Sequence, residues 1–414
     1  MYKDELLERF LRYVAISSQS CAKAGVVPSS EGQWAMARLL ADELKALGLK
    51  DVNVSEFACV TACLPSNLPE GVKVPVAGWC AHMDTVDSGL SPDIHPHLVK
   101  NYDGGDICLN AEKDIWMRVA DHPELKKYTG DDLIVTDGTS VLGADNKSAI
   151  ANLMTALDVV IRENRPHGTI YVAFVPDEEI GLCGAKKLDF SRFPVDFAYT
   201  IDSCEVGELV YQTFNAGSAE ITIKGVTAHP MSAKGVLVNP TLIAVDFVNG
   251  LDRKETPECT DGTDGFIWVH SIRSTPSVAQ IGVKIRDHHL DGYKAKKAKV
   301  QAIVEQLKKA NPRAGITLEM SDTYGNIADA LTDGNRAGLD LLFKVYEKTG
   351  VRPMEIAMRG GTDGSYISTQ GILTPNYFTG AHNFHSNCEF MPMKSFEKSL
   401  EVTLTLIDAI AALK

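Results

Sequence analysis

Long apolar runs are missing from this sequence: no stretch approaches the roughly 18 uninterrupted apolar residues that a membrane-spanning helix needs. That excludes a membrane-spanning helix, and no membrane partner is expected. Basic charge is also in deficit, with 41 Lys and Arg against 54 Asp and Glu and a net charge of −13. A protein that grips nucleic-acid phosphates needs a basic face to displace counterions, so nucleic-acid partners are not expected. The nine cysteines are odd in number and scattered, without the regular spacing of a disulfide framework. The first 17 residues intersperse Asp4, Glu5 and Glu8 with apolar residues and fit neither a signal nor a transit peptide. Reduced thiols and a cytoplasmic location are the expectation. Internal repeats and low-complexity tracts are absent, which removes solenoid and disordered readings.

What remains is an ordinary globular composition, 44% hydrophobic and 23% charged, over 414 residues. That length exceeds what one core usually serves, and two domains are expected. Leu6, Leu7, Phe10, Leu11 and Val14 recur at helical spacing, as do Met36, Leu39, Leu40, Leu44 and Leu47. Short runs rich in β-branched and aromatic residues cover 76–80, 169–175 and 197–201. They read as buried strands of a largely parallel sheet. Between the first two, Ile150, Leu153, Met154, Leu157, Val160 and Ile161 stripe one helix. The fold class is therefore α/β, a mixed, largely parallel sheet with helices on both faces.

From about 214 to 326 the order changes to strand, helix, two strands, helix, strand. Strands are placed near 219–223, 266–269, 278–285 and 316–320, with helices near 242–249 and 293–307. This is the ferredoxin-like βαββαβ order. The reading is a catalytic domain over 1–213 and 327–414, interrupted by an inserted lid or dimerisation domain at 214–326.

Chemistry concentrates at strand ends, where open α/β sheets hold their ligands. His82 and Asp84 follow the run at 76–80, Glu178 and Glu179 follow 169–175, and Asp202 follows 197–201. Asp145 opens the striped helix, and His385 lies beyond the inserted domain. Each has a bland alternative: a capped surface pair, a helix N-terminal acid, solvated glutamates, a turn former, a loop histidine. Their joint occurrence in five segments argues for a metal site. Imidazole with carboxylate suits zinc, cobalt or manganese. On an extended segment His82 and Asp84 point the same way, so His82 can bind metal while Asp84 fixes its ring. Glu178 and Glu179 point apart, so one can bind metal while the other handles water. Asp145, with two oxygens, can bridge two ions roughly 3.5–4 Å apart.

Longer stretches at Val99–Ile107, Leu133–Thr139, Val206–Leu209 and Arg359–Gly364 add to these motifs. With them, the sequence resembles the peptidase T family of tripeptide aminopeptidases, in the di-zinc superfamily of aminoacylases and glutamate carboxypeptidases. The resemblance implies two Zn²⁺ per subunit, one held by His82 and Asp202 and the other by Glu179 and His385. It makes Asp145 the bridge, Glu178 the general base and Asp84 the partner that orients His82, and it implies a cis Asp145–Asn146 peptide. It also makes His229 an oxyanion donor and gives Arg286 and Asn326 to substrate binding; Arg359, beside two glycines, suits the same job. The implied substrates are short peptides cleaved after their first residue, and relatives suggest a homodimer through the inserted domain.

Three positions depart from the family pattern. Asn146 stands where aspartate is usual, and Ala381-His382 stands where Gly-Tyr is usual. His382 is thus an alternative ligand to His385, and Cys183, Cys204 and Cys388 lie near enough to be weighed as thiolates. The rival functions are a dipeptidase, an N-acyl amino acid deacylase, or a silent metal- or peptide-binding protein. Glu178 speaks against the last, because binding needs no general base.

Overall fold

A computed structural model describes residues 2–413. The chain divides into two compact units: residues 1–211, 330–356 and 362–414 form the first, and residues 212–329 with 357–361 form the second.

The first unit is built on an eight-stranded sheet. Its centre is the strand Ala77–His82, buried along its whole length and flanked in parallel by Ile170–Val175 and Phe197–Ser203. Asn376–Phe378 extends the parallel set beside Phe197–Ser203. Antiparallel strands Val60–Leu64 and Lys50–Val54 continue one side, and Glu208–Thr213 pairs antiparallel on the other, with Met354–Met358 at its edge. Burial on both faces is why the central strands read as continuous apolar runs rather than alternating ones.

Side-chain alternation splits the central strands between two helical layers. Cys80, Ala173, Val175 and Ala198 pack with Ile367 of the helix Asp363–Thr369. Trp79 points to the other face, where its Nε1 donates to Tyr377 Oη at 3.2 Å. That tyrosine shares a hydrogen bond with Thr403 of the helix Met393–Ala411. The striped helix, Ala144–Arg162, packs against Ala77–His82, against the N-terminal helix Lys3–Val14 and against Met393–Ala411. Gly78 lets the Phe193 ring approach its backbone: a Cβ there would lie 2.4 Å from that ring.

Two small sheets were not anticipated from the sequence. Pro96–Val99, Leu133–Thr136 and Phe390–Pro392 form one, and the hairpin Ile107–Asn110 with Ile115–Met117 forms the other. Their strands are only three or four residues long, too short for periodicity to register.

The second unit has an antiparallel sheet in the order Phe266–Ser274, Val278–Asp287, Asn215–Lys224, Gly315–Tyr324. Helices Pro240–Asn249 and Leu290–Ala310 join it in a core of Ile221, Ile223, Phe247, Ile281, Val283 and Val304. The chain order is the ferredoxin-like βαββαβ. Phe266–Ser274 runs past the expected 266–269 because its last residues are solvent-exposed and carry no apolar pattern.

Candidate metal centre

Parallel pairing sets the stage. Cys80 is opposite Thr200 and His82 opposite Val175, so three adjacent strands end at one rim. His82 ends its own strand, Asp202 stands near the end of Phe197–Ser203, and the loop carrying Glu178 and Glu179 leaves Ile170–Val175.

That loop is pinned from two sides. Buried Asp177 adopts a left-handed backbone (φ 55°) and accepts from Ser29 N and Gln33 Nε2, both at 2.7 Å, while its own N–H donates to Gln33 Oε1. Asp84 accepts the next two backbone N–H groups, Oδ1 from Glu178 at 3.0 Å and Oδ2 from Glu179 at 3.2 Å. Asp84 also faces His82: Nδ1 of the ring is 3.1 Å from the Asp84 carbonyl oxygen and 3.3 Å from Oδ1. Both are acceptors, so Nδ1 carries a proton, and Nε2 is the nitrogen turned toward Asp145 that could face a metal.

Asp145 lies between two imidazoles. Its Oδ1 is 3.0 Å from His82 Nε2 and its Oδ2 is 3.0 Å from His385 Nε2. Asp202 Oδ1 stands 3.8 Å from His82 Nε2, and Glu179 Oε1 stands 3.0 Å from His385 Nε2. Ligand atoms of His82, Asp145 and Glu179 all lie within 4.8 Å of one another. The Asp145–Asn146 peptide is cis.

The electrostatics show what the cluster needs. Asp145 and Glu179 hold the His385 ring up at a pKa of about 11, in spite of partial burial. Burial disfavours the charged form of His82, yet Asp145, Asp202 and Asp84 together raise it well above the ordinary imidazole value. Burial and the Asp145 charge push Glu179 up to about 7 and Asp202 to about 6. Burial, with Asp202 and Glu179 nearby, raises Glu178 well above the usual carboxyl range. Lone pairs of His82 Nε2 and Asp145 Oδ1 cannot face each other at 3.0 Å without a cation or proton between them. Buried Glu179 Oε1 likewise has no aligned hydrogen-bond donor among the described residues. The site is a surplus of carboxylates around two imidazoles, the oxygen and nitrogen donor set that divalent zinc, cobalt or manganese takes.

His382 is elsewhere. Its Nε2 accepts from Tyr128 Oη at 2.5 Å and its ring stacks on Phe390 at 5.0 Å. Burial holds the ring neutral, its pKa down at about 4. It supports the loop that presents His385. The Cys183 thiol is oriented toward the Ile180 carbonyl at 3.7 Å, and burial raises the thiols of Cys204 and Cys388. None of the three belongs to the ligand group.

The remaining sequence candidates belong to the second unit. His229 is exposed, and its Nδ1 accepts from Met231 N at 3.2 Å, which puts the neutral ring's proton on Nε2. Arg286 donates through Nη1 to the Gly217 and Ile285 carbonyls and lies over the Tyr324 ring. The Asn326 amide is engaged within its unit, accepting from Thr213 N and Ala328 N and donating to the His288 carbonyl. Arg359 donates to the Gly262 and Asp264 carbonyls and to Thr260 Oγ1, and covers the Phe214 and Phe266 rings.

Sequence reasoning missed four supporting residues. Asp177 directly precedes Glu178 and Glu389 follows His385 by four residues, but nothing in their spacing marks them as anchors. Lys147 is buried and donates to the Ile16 carbonyl at 2.6 Å; burial lowers its pKa to about 7. Asp363, in the Arg359–Gly364 stretch, is buried and pushed up to about 8 by burial and by neighbours that include Asp202 and Asp84.

Known proteins bear on this arrangement. The sequence pattern of peptidase family M20/M25/M40 matches residues 142–409. A peptidase T-like protein of Rhizobium meliloti (strain 1021) is 52% identical over 409 residues, 99% of each chain. Peptidase T of Geobacillus kaustophilus (strain HTA426) is 41% identical over 406 residues, 98% of each. The crystal structure of an aminopeptidase from Bacillus cereus ATCC 10987 shares the fold, with a TM-score of 0.75 over 99% of both chains at 24% identity. Agreement across the full length of such relatives, around a cluster built for cations, places this chain in peptidase family M20/M25/M40 as a metallopeptidase.

Proposed function

We propose that the chain is a di-zinc aminopeptidase that releases the N-terminal residue of tripeptides. The observation that carries this reading is Asp145, whose two oxygens each stand 3.0 Å from a different imidazole. On it, His82 and Asp202 would hold one cation, Glu179 and His385 the other, and Asp145 would serve both. Bound cations would supply Lewis acidity for the scissile carbonyl and lower the pKa of a water.

The chain's own groups supply the proton traffic. Glu178 is the proposed general base: its carboxylate takes the proton from the attacking water and returns it to the leaving amine. Asp84 orients the base by accepting the N–H groups of residues 178 and 179, and it keeps the His82 proton on Nδ1. His229, with its proton on Nε2, is the proposed oxyanion donor, and Arg286 the proposed contact for the peptide carboxylate. Asn326 and Arg359 are the other candidates for substrate binding; the Asn326 amide and both Nη groups of Arg359 have partners, while the Arg286 hydrogen bonds use Nη1.

A homodimer through the second unit is part of the proposal. Trp268 and Ile272 on the sheet's edge strand, with Leu242 and Val245 on the neighbouring helix, are exposed apolar residues that a second copy would cover. Sedimentation reads this directly. The nine cysteines are all free thiols, consistent with the proposed cytoplasmic location.

The higher identity to a peptidase T-like protein than to peptidase T, with Asn146 beside the bridging aspartate, favours a second reading. On it the chain is a dipeptidase or N-acyl amino acid deacylase with the same site. A panel of one tripeptide, its N-acetyl form and the matching dipeptide separates the two. The proposal expects turnover of the free tripeptide alone, with His229→Ala lowering kcat by about 10²–10³-fold and Arg286→Ala raising KM. Cleavage of only the acylated compound or the dipeptide would establish the second reading.

A further inference from the structure

Glu389 has no part in the chemistry above, yet it is buried and bound to the segment that carries Asp145. It is 1% exposed and meets three backbone N–H groups of the segment that delivers Asp145. Oε2 accepts from Leu142 at 2.7 Å and Gly143 at 2.8 Å, and Oε1 accepts from Asp145 at 3.0 Å. Gly143 takes the left-handed conformation (φ 73°) that lets successive N–H groups converge on an anion. On its own side Glu389 stands at the neck of the loop that presents His385. His382 and Phe390 exchange backbone hydrogen bonds of 2.9 and 3.1 Å that close this loop, and Phe390 begins the strand paired with Leu133–Thr136.

We propose that Glu389 is a positioning residue that ties the Asp145 segment to the His385 loop and thereby sets the affinity of one cation, the one held by Glu179 and His385. This inference rests on the two-cation reading. The asymmetry follows from what carries each ligand. His82 and Asp202 each lie two residues beyond Cys80 and Thr200, the last pair in the parallel register of their adjacent strands, and Glu389 is not part of that pairing. Glu179 and His385 sit on loops, and His385 itself has a left-handed backbone (φ 63°). A glutamine at 389 keeps the volume but offers one acceptor oxygen, and turns an amide N–H₂ toward backbone N–H donors. The Asp145 segment and the His385 loop then lose their common anchor.

The test is metal content after dialysis of zinc-loaded protein, read with a chromogenic chelator, alongside the melting temperature of the metal-free protein. Wild type retains two zinc ions per chain. Glu389→Gln retains one, matching His385→Ala, with the lost ion bound about 10–100-fold more weakly; its metal-free melt falls, because three buried N–H groups lose a carboxylate, but the ion held by His82 and Asp202 stays. Glu389→Asp keeps the charge but shortens the reach, and shows a smaller loss of the same ion; it carries the test if the glutamine variant does not fold. Retention of two ions by both variants overturns the proposal. So does parallel loss of both ions with a lowered melt, which a purely structural carboxylate would produce. Fewer than two ions in wild type would overturn the two-cation reading itself.

Discussion

Glu178→Gln lowers kcat for a free tripeptide by about 10²–10⁴-fold and leaves the zinc content at two per chain. The amide preserves the volume and the backbone N–H that Asp84 accepts, so the loop carrying Glu179 stays in place. What disappears is the proposed general base, the group that would take the water's proton and return it to the leaving amine. Because one carboxylate is asked to act in both directions, the effect belongs near the upper end of the range and falls on kcat rather than KM. Steady-state kinetics with parallel metal analysis reads this. Unchanged turnover would remove Glu178 from the mechanism, and loss of zinc would make it a ligand.

Asp145→Asn has a larger effect, through a different cause. An asparagine has one acceptor oxygen, and its amide N–H₂ cannot serve as a ligand. Only one of the two imidazole-facing positions keeps an oxygen, and that oxygen is uncharged, so no bridge forms. The Asp145 carboxyl is ordinarily held well below the usual range, since His385 and His82 offset the cost of its burial. The variant therefore loses the most readily ionised group of the cluster. Metal content falls below two per chain, and turnover drops by at least the ~10²–10⁴-fold lost with the general base. Two tightly bound zinc ions in Asp145→Asn would show that the bridge lies elsewhere.

The long elements and two of the proposed ligands are legible because their signals are local. Apolar strands buried on two faces and an apolar stripe from Ile150 to Ile161 are properties of contiguous sequence, and strand ends locate His82 and Asp202. The three-stranded sheet was not legible: Pro96–Val99, Leu133–Thr136 and Phe390–Pro392 are distant in sequence, and each is too short to show a period. Yet that sheet anchors the neck of the His385 loop. Glu389 was hidden for the same reason, since its partners are backbone N–H groups more than 240 residues away, which no residue pattern encodes. His382 was ambiguous by spacing alone, and only its pairing with Tyr128 and stacking on Phe390 separate it from His385. Arg359 and Asn326 show the converse. Their residue types suit a substrate carboxylate, but the folded chain offers them backbone carbonyls and N–H groups that they already use.

The most direct test of a two-cation hydrolase is zinc titration of metal-stripped protein while following hydrolysis of a free tripeptide. The account predicts no turnover after chelation, and recovery that is complete only when two zinc ions per chain have been added. Turnover that survives chelation, or that is fully restored by a single ion, would contradict it.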